Sequence, residues 1–168
     1  VLGHEFGDEA ACWVEQVDPV TLDVVRRSAD LPGGPTWPGG LAAHADGDLY
    51  VVFGNHAHRL SASLEVLVSV ELPRHAPYNS FVVLPDGHLV TKDFGGVLPG
   101  GDPEAHEPPP SELLVLAPGT LDIVARCSIP EPSIARLSAD GSTVYIVGTT
   151  TLYRARWDGT DLALDTDF

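Results

Sequence analysis

The chain has 168 residues, 43% of them hydrophobic and 20% charged, a composition that fits a globular domain with a sizeable core. Its 24 acidic and 9 basic residues leave a net charge of −15, which repels nucleic acid and anionic membrane surfaces, because holding phosphates takes clustered Lys and Arg. No apolar stretch is long enough to span a bilayer. The acidity reads first as a solvated surface, with cation binding or life at high salt as sharper alternatives. Cys12 and Cys127 lie far apart without ligand-like spacing, so two thiols are expected rather than a bridge or a zinc site. The chain starts at Val1 and contains no methionine, so it is expected to be processed or an excerpt, and nothing in it assigns a compartment.

Taken in order, the segments repeat. VEQVDPVTLDVVRRSADLP reads as strand, turn, strand, an outer half blade over 11–32. LAAHADGDLYVV then places Asp46-Gly47 between two apolar runs, the signature of a two-residue hairpin turn with positive φ. AHRLSASLEVLVSVELP repeats the first pattern and completes a blade over 38–73. FVVLPDGHLVTK and LLVLAPGTLDIVARCSIP form the next blade, 78–130, interrupted by a Gly-, Pro- and acid-rich insertion at 95–111 that reads as an exposed loop. IARLSADGSTVYIV and YRARWDGTDLALDTDF form the last, 132–168. Leu22, Leu64, Leu121 and Leu162 align, about 40 residues apart except across the insertion, which is the period of a four-stranded propeller blade. The expected fold is all-β: about 3.5 four-stranded antiparallel blades of a β-propeller. Such a number cannot close, so the expectation is a fragment of a 6- or 7-bladed ring, whose partners are the remaining blades and a small-molecule ligand.

Labelling strands A to D from the axis outward, the D–A and B–C loops share one face, and the Asp-Gly, SASLE and APGTL turns share the other. The first face collects His75, Tyr78 and Asn79 before strand A of the inserted blade, Asn55, His56 and His58 after strand B of the preceding one, and Lys92 and Asp93 at the end of a strand B. His56 and His58 alternate, so on extended backbone both point one way and suit a shared metal, or they are simply surface residues. His75 suits a base or ligand as well as a turn. Asn79, an amide at the mouth of a channel, is the most functional in character. Asp93 suits a turn cap, with Lys92 as its partner. No Ser-His-Asp order or nucleophile elbow occurs.

The segment PYNSFVVLPDGHLVTKDF resembles the PNG…PDG-x-L-Y-V-T-D phrase of the senescence-marker-protein/gluconolactonase propellers, and the whole chain is more loosely similar to YVTN and NHL propellers. The first resemblance implies a divalent metal (calcium, zinc or manganese) on the channel axis, with Asn79 matching a ligand and Asp93 the closing Asp. Ser80 replaces the Gly of the phrase and Lys92 its Thr, while Gly39 and Ser133 hold the strand-A positions of the adjoining blades. Three functions stand as expectations. One is metal-dependent lactone or ester hydrolysis with Asn79 as ligand and His75, Lys92 or Asp93 as catalytic groups. The second is a non-catalytic ligand- or protein-binding propeller, and the third a redox propeller with metal on His56 and His58, or a quinone.

Overall fold

The computed structural model describes residues 1–94, 110–130, 133–148, 150–165 and 167. It is a partial β-propeller of four antiparallel sheets, each of four strands, with no helix among the described residues. The first sheet comprises β1 (Leu2–His4), β2 (Ala10–Val17), β3 (Val24–Arg27) and β4 (Leu31–Gly34). Here β3 and β4 run in succession along one edge of β2, against Gln16 and Cys12 respectively, while β1 pairs the other edge. The sequence reading opened this blade at its third strand, and Leu2–His4 adds one before it: three residues are too short to show a period.

The second blade runs β5 (Gly40–Ala43), β6 (Leu49–Phe53), β7 (His56–Leu60) and β8 (Val66–Glu71). The third runs β9 (Tyr78–Val83), β10 (Leu89–Asp93), β11 (Ser111–Leu116) and β12 (Ile123–Ile129). The fourth runs β13 (Ser133–Leu137), β14 (Val144–Gly148), β15 (Leu152–Trp157) and β16 (Leu162–Leu164). In these three the strands pair in chain order, so each sheet is a meander. The expected insertion 95–111 lies outside the described residues except for Pro110 and Ser111.

Alternation decides which blade each side chain serves. In β6, Val51 and Phe53 pack on Cys12, Val14 and Leu31 of the first sheet. Tyr50 and Val52 face the other way, onto Tyr78, Leu89 and Leu114 of the third. In β11, Leu114 and Leu116 face the second blade and Leu113 and Val115 the fourth. A middle strand is thus buried on both faces, which is why LYVVF and LLVL read as unbroken apolar runs. Cys12 is buried in one of these interfaces, and burial pushes its thiol up to about 12; both cysteines are free.

The Asp-Gly turns differ from the two-residue form expected. Gly47 N–H donates to the His44 carbonyl and His44 N–H to that of Asp48, and the same bonds link Gly87 to Leu84 and Leu84 to His88. These are three-residue loops, a type I turn closed by a left-handed glycine (φ 94° and 91°). Pro85 accounts for the second of them, since its fixed negative φ suits a type I turn and forbids a primed one; Ala45 holds that position in the first.

The aligned leucines do two jobs. Leu22, Leu64 and Leu121 close the outer hairpins in the left-handed region, at φ 64°, 67° and 63°. In the last blade Gly159 (φ 98°) takes that place, and Leu162 begins β16. Leu64, Leu121 and Leu162 each pack into an interface between blades, whereas Leu22 is 74% exposed. A left-handed leucine costs about 1–2 kcal/mol, and asparagine tolerates the region better. Leu22→Asn is therefore expected to stabilise the chain by about 1 kcal/mol, while Leu121→Asn, which also loses a buried side chain, costs about 2–5 kcal/mol. Chemical denaturation of both variants checks the opposite signs; equal destabilisation would contradict them.

The turn face is stitched between blades. His44 Nε2 lies 3.0 Å from the Gly87 carbonyl, Gly119 N–H donates to Tyr50 Oη at 3.2 Å, and Trp157 Nε1 donates to Asp86 at 2.6 Å.

Candidate functional site

The inner strands of three successive blades start on the opposite face and line an open cavity of about 440 Å³. Gly40 and Leu41 of β5, Asn79, Ser80 and Phe81 of β9, and Ile134 and Arg136 of β13 line it, with Trp37 from the loop before β5. Asn79 thus lies within strand A rather than before it. It is 7% exposed, and its carbonyl accepts from Thr91 Oγ1 at 3.1 Å.

Ser80 explains how Asn79 is turned to the mouth. Its φ is 57°, the left-handed region, at the place where the resembling phrase carries Gly. The register of β9 against β10 slips between Val90 and Lys92, so Ser80 is the extra residue of a bulge. Ser80 Oγ donates to Asn79 Oδ1 at 3.3 Å and accepts the Ala135 N–H of the next blade at 3.2 Å. The hydroxyl thereby offsets part of a strain that glycine would not carry.

Lys92 and Asp93 close β10, as expected, but not as a pair of side chains. Lys92 is wholly buried; its Nζ donates to the Asp93 backbone carbonyl at 2.5 Å and lies 5.5 Å from the Phe94 ring centroid. Burial brings its ammonium down to about 8, against the opposing pull of the Asp93 charge. The carboxylate of Asp93, 1% exposed, instead takes Arg74 Nη1 on Oδ2 at 2.5 Å. Its Oδ1 accepts from Ser111 Oγ at 3.0 Å and from Glu112 N–H at 2.7 Å. Arg74, unremarked in the sequence, sits in the D–A loop and also donates to the Pro110 carbonyl at 2.6 Å.

His56 and His58 belong to β7 and not to a loop, paired across to Phe53 and Val51 of β6. Their rings lie parallel, 3° apart in plane and 6.1 Å between centroids, on one side as alternation requires. Both turn onto β4: His56 Nδ1 is 2.7 Å from the Gly33 carbonyl, and His58 Nε2 is 2.8 Å from that of Pro32. His58 is fully buried, and desolvation brings it down to about 4. Asn55, also buried, donates to Glu71 Oε1 at 3.1 Å. His75 is an exposed residue of the loop between β8 and β9.

The cavity thus brings Asn79 together with Trp37 and Arg136, and none of the other expected site residues lines it. Arg136 was legible in principle. In IARL, period 2 puts Ile134 and Arg136 on one side of strand A, and the structure leaves both exposed while burying Ala135. The metal implied by the resemblance finds a poor donor set among the described residues. No carboxylate lines the cavity, Gly39 offers no side chain, and no group of three or more His, Cys, Asp or Glu could hold an ion.

No family model matches the sequence, and no curated protein matches it. Among solved structures the chain is similar to a protein of unknown function from Bacteroides caccae, at 15% identity and a TM-score of 0.57 over 92% of this chain and 52% of that one. It is likewise similar to virginiamycin B lyase from Staphylococcus aureus, at 12% identity and a TM-score of 0.55 over 96% and 54%. The chain spans about half the length of these structures. At such identities the likeness carries the propeller fold.

Proposed function

We propose that the chain is the ligand-binding part of a propeller, holding a small organic molecule at the inner mouth between β5, β9 and β13. The observation that carries this reading is the cavity of about 440 Å³ to which three blades each contribute an inner strand. Trp37, Phe81 and Ile134 offer apolar surface, Arg136 a guanidinium and Asn79 an amide, a set suited to a carboxylate or carbonyl on an apolar body. In a chain of net charge −15 a guanidinium at the mouth also selects locally for an anionic group.

The second reading is lactone or ester hydrolysis at the same mouth. It is favoured by the resemblance around Asn79 and by the position of that side chain on the cavity wall. The neighbour named as a lyase acting on virginiamycin B adds to neither reading, since its likeness is one of fold.

A γ-aryl-γ-lactone and its open hydroxy-carboxylate separate the readings. The expected result is saturable binding of the carboxylate by calorimetry, weakened about tenfold or more by Arg136→Ala or Asn79→Ala, with no turnover of the lactone. Absence of binding overturns the proposal. Turnover that follows stoichiometric bound metal and disappears in Asn79→Ala replaces it with the hydrolase reading.

A further inference from the structure

A second cavity, about 690 Å³, lies on the same face between the first two blades, and it was not expected from the sequence. Its walls are the loop joining β1 to β2 and the loop joining β4 to β5, with His4, Phe6, Thr36 and Trp37 among the lining side chains. Phe6 is 87% exposed and stands on the rim of this cavity beside the Trp37 and His4 rings, so its face is open to a ligand. We propose that this cavity is a binding site for an organic cation, an aryl or alkyl ammonium whose apolar part sits against Phe6 and Trp37.

The walls are built in advance. Gly7 N–H donates to Thr36 Oγ1 at 2.8 Å, Thr36 Oγ1 donates to the Gly7 carbonyl at 2.9 Å, and Thr36 N–H donates to the same carbonyl at 3.0 Å. Those three bonds lock the two loops to each other. His4 stacks on Phe53, with centroids 4.9 Å apart, and meets Phe6 edge-on at 5.2 Å. Trp37 stacks on Phe94 at 4.8 Å, so its ring is held before any ligand arrives. Little ordering is left for a ligand to impose.

The charge around the cavity selects the sign. Asp8 lines it, and Glu5 and Glu9 are exposed in the same loop. Among the described residues neither Lys nor Arg lines the cavity, and Lys92 lies behind its wall, 5.5 Å from the Phe94 ring on which Trp37 stacks. Aromatic faces attract cations through their quadrupole, and the nearby carboxylates add to that attraction at low salt. An anionic aromatic would meet Asp8 on the lining and no Lys or Arg there. Trp37 borders both cavities, but Phe6 and Asp8 line this one and not the channel cavity, so variants at these two positions test it separately from the proposed function.

The probe is benzyltrimethylammonium, titrated into the 168-residue chain by calorimetry at low salt, with 3-phenylpropionate as the anionic counterpart. The expected result is saturable binding of the ammonium, weakened about tenfold by Phe6→Ala and about threefold by Asp8→Asn, with no binding of the anion in competition with it. Because Phe6 is exposed, Phe6→Ala should melt like the parent chain, so lost affinity is lost contact. Failure of the ammonium to bind, an affinity indifferent to Phe6→Ala, or displacement of the ammonium by 3-phenylpropionate would each overturn the proposal.

Discussion

Arg74→Ala is expected to destabilise the chain by about 3 kcal/mol, because it strands the buried carboxylate of Asp93. Asp93 is 1% exposed, and Arg74 is the cationic side chain bonded to it, at 2.5 Å. Ser111 and the Glu112 N–H would still donate to Oδ1 and the Lys92 ammonium would stay nearby, but Oδ2 would be buried without the cation bonded to it. The Arg74 side chain is itself one-third exposed, so water replaces part of the loss and holds the cost to the lower end of what a buried pair shows. For a domain of this size the melting temperature falls by roughly 6–12 °C. The double variant Arg74→Ala/Asp93→Asn should be markedly more stable than the sum of the single changes, since it removes the stranded charge. A loss below about 1 kcal/mol in Arg74→Ala, or strict additivity in the double variant, would contradict this account.

Acid should cost the fold up to about 3 kcal/mol through His58 alone. In the folded chain this imidazole titrates at about 4, and unfolded it returns to the ordinary value near 6.5. Above 6.5 both states are neutral and the group contributes no pH dependence. Between 6.5 and 4 the unfolded chain takes up the proton while the folded one resists, so stability falls with pH. Below 4 both states are protonated, and the penalty levels off. Burial is the main cause, and the Pro32 carbonyl opposes it by favouring a protonated ring, while the parallel His56 ring disfavours a second charge. Carboxylates elsewhere add their own acid sensitivity, so the readout is a difference between two proteins. Relative to His58→Gln, the parent chain should lose stability across that window in urea melts. Parallel curves for the two would show that His58 stays exposed to protons in the fold.

The propeller was legible because its grammar is local. Apolar runs buried on both faces, hairpin turns with Asp-Gly and a leucine recurring at blade period each leave a mark on a short window of sequence. Details that depend on partners across the sheet were not legible. Pro85 already spoke against a primed turn, yet the loop length emerges only from the bonds of His44 with Asp48 and of Leu84 with His88. Leu2–His4 is recognisable as a strand only because Leu2 pairs Val14 and His4 pairs Cys12.

Where the candidate residues lie was legible only as far as local pattern reaches. Asn79 stood out because a single phrase carries it, and it lines the cavity between the inner strands. His56 and His58 were read from alternation, correctly as to side, but alternation says nothing of what lies opposite, and here it is the carbonyls of Pro32 and Gly33. Asp93 looked like a companion for Lys92 because the two are adjacent, whereas consecutive residues of a strand point to opposite faces. Its true partner, Arg74, is 19 residues away. Phe6, Trp37 and Arg136 carried no motif at all; they become conspicuous only when the blades and loops are set around the two cavities.

Amide hydrogen exchange with and without the hydroxy-carboxylate probe tests the central claim most directly, because it reports which face the ligand occupies. If the inner mouth is the site, protection should rise in segments 37–41, 79–81 and 134–136, and the turns at 44–48, 84–88 and 117–122 should be unchanged. Protection confined to those turns, or absent everywhere under saturating probe, would contradict the assignment of ligand binding to the channel mouth.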